Sequence, residues 1–281
     1  MTTIHDSQPG NHPGHSTFPG GRPTWLDRMG KVRNVVRQEM ISRQLDRHLP
    51  ASPARILDVG AGQGTQSIRL ARAGHQVLAI EPDAEMRTVL GAALDREEAA
   101  VRERVTVADG SLGALAAVTG GNLYDAVLLL GVLMYLPSSE PVIAELAAHV
   151  APGGMLAIAA RTTTSALWRP AARQDWQAAL AAFEEHDRAR AQGRDMGYVN
   201  ELGTPARADD FGALVARAAD AGLRLENWYG VRIAVDMSEA DPAPPADPDQ
   251  LAALLDVEER LGATDPYRQL AQLAHLILRR G

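Results

Sequence analysis

The stretch ILDVGAGQGTQSIRLARAGHQVLAIEPD, Ile56–Asp83, decides the fold. An apolar run meets a glycine-rich turn, a helical pattern follows, and a second apolar run ends on Glu81 and Pro82. This predicts a strand, a turn that lets a ligand approach the backbone, a helix with unpaired N–H groups at its start, and a second strand. A dinucleotide site asks for G-x-G-x-x-G. Gly60 and Gly62 fit, but Thr65 holds the third place, and the third glycine, Gly64, comes one step early. Asp58 stands just before the loop Gly60-Ala61-Gly62, where an anion repels a diphosphate and attracts an ammonium group. S-adenosylmethionine has an amino-acid head, a sulfonium and no phosphate, so the segment suits it better than NAD. Its demethylated product is S-adenosylhomocysteine.

Beyond this stretch the pattern continues. Strands are expected at 55–60, 76–81, 105–109, 124–130 and 154–160, with helices at 64–73, 84–99, 112–118 and 139–150. Such alternation predicts an α/β, Rossmann-like, mostly parallel sheet with helices on both faces. The tripeptide PGG at 152–154 reads as a sharp turn between a helix and a strand. The strand ends converge on one crevice. Glu81 ends the second strand, where a carboxylate accepts from ribose hydroxyls. Asp109 and Gly110, in VADGS, end the third and reach toward the adenine. Leu130 ends the fourth.

The flanks complete the organisation. Residues 1–23 hold four prolines, four glycines and three histidines and read as a disordered tail, with 24–281 as a single domain. Residues 24–50 form a helical cap. A helix at 209–221, a strand near 224–235, a helix at 248–261 and a last strand at 270–279 follow the middle region. Residues 164–208 break the alternation. They carry Trp168, Trp176, Phe183 and Tyr198 in a chain that is only 4% aromatic, which suggests a lid over the substrate.

Composition narrows the chemistry. Cysteine is absent, which excludes disulfides and thiolate catalysis. The histidines lack ligand spacing, so no metal is expected. No apolar run is long enough to span a membrane, and the N-terminal stretch does not read as a secretory signal. These point to a cytoplasmic enzyme. The net charge is −7 and Lys31 is the only lysine, so the global field does not favour a polyanion.

Taken in order, the glycine loop, Asp58, Glu81, VADGS, the fourth strand and PGG resemble the class I adenosylmethionine-dependent methyltransferases over residues 55–160. The resemblance implies seven strands, with the last antiparallel and inserted beside the fifth; LAQLAHLILRR is similar to that strand. The flanks resemble the tRNA carboxymethoxyuridine methyltransferases. MGKVRNVV, Met29–Val36, is similar to a segment whose arginine contacts the cofactor carboxylate, which implies that role for Arg33. The chain departs from this subgroup in two places. It reads LLGVLMY where the subgroup has F-H-A-V-L-E-W, and its insert has no lysine. Residues 161–210 hold seven arginines against eight acids.

The resulting expectation is methyl transfer to a small-molecule acceptor, an aromatic or indole-like secondary metabolite. Esterification of a tRNA wobble uridine is the alternative. A protein that binds the cofactor without catalysis stays open beside both. Tyr135 either orients the acceptor or packs over the cofactor, and His186 is the candidate base. Trp25, Trp168 and Trp176 are expected to wall the acceptor pocket, or else to pack within the lid. Oligomeric state is not legible.

Overall fold

The computed structural model describes residues 28–51, 53–200 and 203–281. Trp25 and the proposed tail lie outside the described residues.

The alternation expected from sequence is present. Strands β1 (Arg55–Val59), β2 (Gln76–Ile80), β3 (Val105–Ala108), β4 (Tyr124–Leu130) and β5 (Val150–Ala160) are joined by helical crossovers. With β8 (Leu223–Val231) and β9 (Leu273–Arg280) they form one seven-stranded sheet in the order β3-β2-β1-β4-β5-β9-β8. The first five strands are parallel, while β9 runs antiparallel between β5 and β8. A short hairpin of β6 (Met196–Val199) and β7 (Pro205–Ala208) stands apart.

Side chains alternate across the pleat, so both faces of the sheet are apolar and both must be covered. Leu57, Val127, Leu129, Leu156, Ile158 and Leu276 belong to the core on one face. Ile56, Ala126, Leu128, Ala157 and Ile277 belong to the core on the other. Helices Glu140–Ala148 and Phe211–Asp220 close the first, with Ile143, Leu146 and Leu214. Helix Val32–Asp46 closes the second, with Val36, Met40 and Leu45.

Three boundaries differ from expectation for local reasons. The expected helix at 84–99 ends at Leu94, and a separate turn of helix forms at Ala99–Arg102. PGG is not a turn before the strand but an interruption inside it. Tyr124 pairs with Val150 and Ala126 with Met155, so residues 151–154 bulge out, with Gly153 at φ +72°. Strand β8 stops at Val231 because Arg232 adopts φ +65°, a left-handed turn that ends the ladder.

The insert holds two helices, Thr163–Ala172 and Trp176–Ala191, and the β6–β7 hairpin. They share a small core of Ala166, Ala189, Met196 and Ala208.

Candidate active site at the strand ends

A cavity of about 260 Å³ opens over the carboxyl ends of β1 to β4. Its floor is the glycine loop. Gly60, Gly62 and Gly64 have φ of +73°, +58° and +82°, a region that costs other residues steric strain. A Cβ on Gly60 would sit 2.5 Å from Val132 Cγ2. The loop is pinned to β2, since the Gly60 and Ala61 amides donate to the Ile80 carbonyl at 2.8 and 3.1 Å.

Two carboxylates flank the loop. Asp58 is buried and accepts from Ser67 Oγ at 2.6 Å. Burial, outweighing that hydrogen bond and helped by the charge of Glu81, pushes its pKa up to about 6. Glu81 accepts from the amides of Gly62 at 2.8 Å and Asp83 at 2.9 Å. Burial raises its pKa against those two bonds. Both groups therefore gain from a ligand that brings positive charge or hydrogen-bond donors.

The cap helix supplies the opposite wall. Arg33 lines the cavity, but its Nε faces Asp236 at 3.0 Å and its Nη2 donates to the carbonyls of Ser238, Glu239 and Ala240. Nε and Nη2 are thus engaged by the loop after β8, and Nη1 is the nitrogen left for the carboxylate contact that the resemblance implies. Arg37, one turn on, donates from Nη2 to the Leu130 carbonyl at 3.0 Å. Burial, then the charge of Arg232, lower its pKa to about 10, still cationic at neutral pH. Gln66 Nε2 donates to Gln38 twice, at 2.9 Å each, while Gln66 Oε1 is buried without a partner among the described residues. Asn34 Oδ1 is in the same state. Both residues line the cavity.

Of the residues singled out in the sequence, Arg33, Asp58, Gly60, Ala61, Gly62, Glu81, Pro82, Gly110, Leu130 and Tyr135 come together on the cavity wall. Gly64, Asp109 and His186 do not. Gly64 is needed for packing, since a Cβ there would meet Leu90 at 2.6 Å. The Asp109 side chain is 72% exposed and pairs with Arg87 at 3.0 Å. His186 lies on helix Trp176–Ala191, which packs on the other insert helix, Ala189 meeting the cluster that holds Ala166. Trp168 and Trp176 are absent from the wall as well, and Trp176 is 65% exposed.

Beyond Leu130, sequence reading named Tyr135 and noted Tyr198 among the insert aromatics, but missed the rest of the wall. Met134, Tyr135 and Leu136 follow β4 on a 3₁₀ turn, and Tyr198, Asn200, Arg232, Gln272 and Leu273 complete it. Asn200 Nδ2 donates to the Tyr135 hydroxyl at 3.0 Å. Burial pushes Tyr135 up to about 12, so it keeps its proton. The Arg161 guanidinium lies 4.9 Å from the Tyr198 ring centroid. One signal was available: Arg232 and Gln272 sit at the ends of strands that reach the same sheet edge.

A seven-stranded sheet of this order, with the last strand antiparallel and an acidic glycine loop at its carboxyl edge, defines a class I, Rossmann-like methyltransferase fold. The family described as methyltransferase domain matches residues 34–218, and the chain belongs to it. The ubiquinone biosynthesis O-methyltransferase of Xanthomonas axonopodis pv. citri is 32% identical over 212 residues, 74% of this chain and 78% of that protein. The magnesium protoporphyrin IX methyltransferase of Synechocystis PCC 6803, solved with S-adenosylhomocysteine, shares the fold at TM-score 0.58. It is 17% identical, over 93% of this chain and 94% of that one. A glycopeptide N-methyltransferase complexed with S-adenosylhomocysteine follows at TM-score 0.53 and 15% identity, over 86% and 88%. The protein is an S-adenosylmethionine-dependent methyltransferase. The unpartnered Gln66 and Asn34 oxygens, the two raised carboxylates and the loop that a Cβ would obstruct all fit that cofactor.

Proposed function

We propose that this enzyme methylates a small, partly aromatic acceptor held over β4, β5, β9 and β8, with the cofactor over β3, β2, β1 and β4. The observation that carries this reading is the composition of the far wall. Met134, Tyr135, Leu136, Tyr198 and Leu273 give an apolar and aromatic surface with few polar points, as small-molecule pockets have. The name of the Xanthomonas relative, an O-methyltransferase of ubiquinone biosynthesis, agrees with a small acceptor.

The residues divide the work. When bound, S-adenosylmethionine supplies a methyl group on a positively charged sulfur. Glu81 would receive the ribose hydroxyls. Asp58 and Gln66 would hold the ammonium, and Arg33 Nη1 the carboxylate. Ala61, Gly62, Pro82, Gly110 and Leu130 would line the adenosine. The protein's main task is then alignment of the acceptor atom. Tyr135 keeps its proton and would donate it in a hydrogen bond to the acceptor, with Asn200 fixing the phenol. A general base at His186 would require the insert to move, because that histidine is off the cavity wall. The insert 164–208 would act as a lid.

A tRNA acceptor needs exposed cations for counterion release. In the insert, Arg207 is taken by Asp195 and Asp209, Arg194 by Glu185, and Arg169 by Asp236. Tritiated S-adenosylmethionine, offered with a small-metabolite extract and with bulk tRNA, tests the choice. Label is expected in the metabolite fraction. Label in tRNA alone would overturn this reading, and release of that label as methanol in mild base would identify the methyl ester expected of wobble-uridine esterification.

A further inference from the structure

Three residues that line the cavity carry a buried amide oxygen with no hydrogen-bond partner among the described residues: Asn34 Oδ1, Gln66 Oε1 and Gln272 Oε1. The first two belong to the cap helix and to the helix that follows the glycine loop, both beside β1. Gln272 does not. It directly precedes β9, and in the sheet β9 is separated from β1 by β4 and β5. At about 4.8 Å per strand, that places it roughly 14 Å along the sheet edge from the Asp58 strand. Gln272 therefore belongs to the acceptor half.

Its backbone is fixed from two sides. The Gln272 amide donates to the Arg232 carbonyl at 2.8 Å, and its carbonyl accepts from Ser165 Oγ at 3.1 Å. The residue is 8% exposed. Arg232, across that backbone bond, also lines the cavity. It holds φ +65°, a conformation a non-glycine residue keeps only where its surroundings enforce it, and such residues gather at binding sites. Its Nη2 rests on Asp236 at 2.8 Å. A guanidinium, which only donates, and a carboxamide, which also accepts, are thus joined through their backbones on the lining of one cavity.

We infer that Gln272 is a specificity-determining residue. Its carboxamide, turned about the last side-chain bond so that the oxygen faces the cavity, receives a hydrogen bond from an O–H or N–H of the acceptor other than the atom that is methylated, while Arg232 donates to the same substituent. The inference rests on the acceptor reading above and adds the substrate class: an acceptor with a second polar group that both donates and accepts, a hydroxyl above all. An acceptor lacking it would leave the Gln272 oxygen buried and unpaired, and sites of this kind discriminate strongly.

The probes are the three hydroxybenzyl alcohols and the three matching cresols, pairs that differ by one hydroxyl. Methyl transfer from tritiated S-adenosylmethionine is measured for wild type and for Gln272→Met, which keeps the volume and removes the carboxamide. In wild type at least one alcohol should exceed its cresol about 100-fold or more in kcat/KM. In Gln272→Met the ratio should fall below about 10, chiefly through the KM of the alcohol. The Kd for S-adenosylhomocysteine should not change, and the free variant should melt no lower than wild type. A ratio unchanged by the substitution, cresols that match the alcohols in wild type, or a weakened S-adenosylhomocysteine Kd overturns the inference alone. No turnover of any of the six phenols overturns the aromatic-acceptor reading, and the inference falls with it.

Discussion

The sheet edge over β3, β2, β1 and β4 and the edge over β5, β9 and β8 are built by different means. On the first, the loop and both carboxylates come from one contiguous stretch, Ile56–Asp83, and backbone groups dominate. The loop is shaped by left-handed glycines, and Glu81 is tied to its amides. On the second, side chains dominate and come from distant segments. Arg207 bolts the β6–β7 hairpin to the turn that carries Tyr135, donating to the carbonyls of Leu136 at 2.8 Å and Leu133 at 3.0 Å. Asp236 gathers Arg33, Arg169, Arg173 and Arg232 from the cap helix, the insert and the end of β8. A backbone-built half can serve one invariant ligand. A half assembled from side chains can be re-cut for a new acceptor while the first half is left alone.

Two buried aspartates put this contrast in one residue type. Asp58 has its pKa raised to about 6 by burial. At Asp236, burial pushes the same way, but Arg232 and Arg169 outweigh it and hold the carboxyl at about 2. Asp58 is thus kept uncomfortable for a ligand, and Asp236 is kept ionised for the architecture. The largest expected effect is at the architectural site. Asp236→Ala leaves several guanidinium groups without their carboxylate and should destabilise the protein by about 3–5 kcal/mol in urea unfolding. Less than about 1 kcal/mol would mean that the network adds little to the fold.

Next comes the backbone of the other half. Gly60→Ala forces a Cβ toward Val132 at positive φ, and calorimetry should show S-adenosylhomocysteine binding weakened about 100-fold, worth about 2.7 kcal/mol. Asp58→Asn should weaken the same ligand about 10-fold while leaving thermal stability equal or higher, because a strained carboxylate is removed. A loss of stability there would break the distinction between the two aspartates. Tyr135→Phe should lower kcat about 10-fold with an unchanged S-adenosylhomocysteine Kd, since it removes an orienting hydroxyl from the acceptor side.

The pH dependences should run oppositely. Asp236 is depressed, so its contribution to stability is complete above the unfolded value of about 3.9 and is lost as pH falls through about 2. Asp58 is raised, so in the free enzyme it takes up a proton as pH falls through about 6, and the cost of its charged form to the fold grows as pH rises from the unfolded value of about 3.9 and is complete above about 6. A ligand ammonium needs the charged form. S-adenosylhomocysteine affinity should therefore rise between pH 5 and 7 and then level off, while Asp58→Asn should flatten the rise. Glu81, raised in the same direction, would add to the slope that remains.

Legibility followed the same divide. Glu81 and Gly110 could be placed because each ends a parallel strand, and strand ends of an open α/β sheet meet at one edge. Asp109 also ends a strand, yet its side chain turns outward to Arg87, since a strand end fixes a Cα and not a rotamer. Trp168 and Trp176 attracted notice as rare aromatics in the insert. The helix Trp176–Ala191 instead buries alanines, Ala179 and Ala189, because the facing insert helix comes close, and Trp176, Leu180 and Phe183 are left outside. Composition marked the segment but carried no information about which face turns inward.

By itself the sequence determined the alternation of elements, the glycine loop and its two carboxylates, and so the methyltransferase class. These depend on periodicity and on backbone conformations that neighbouring residues dictate. Only the tertiary structure decided that Arg33 is largely spent on the loop after β8 and that Gln272 and Arg232 meet at the far edge. It also decided that a hairpin from the insert supplies Tyr198 and Asn200. Those positions are set by long-range packing and hydrogen bonding, in which a residue's partner lies tens to some two hundred residues away along the chain, beyond the reach of any local pattern.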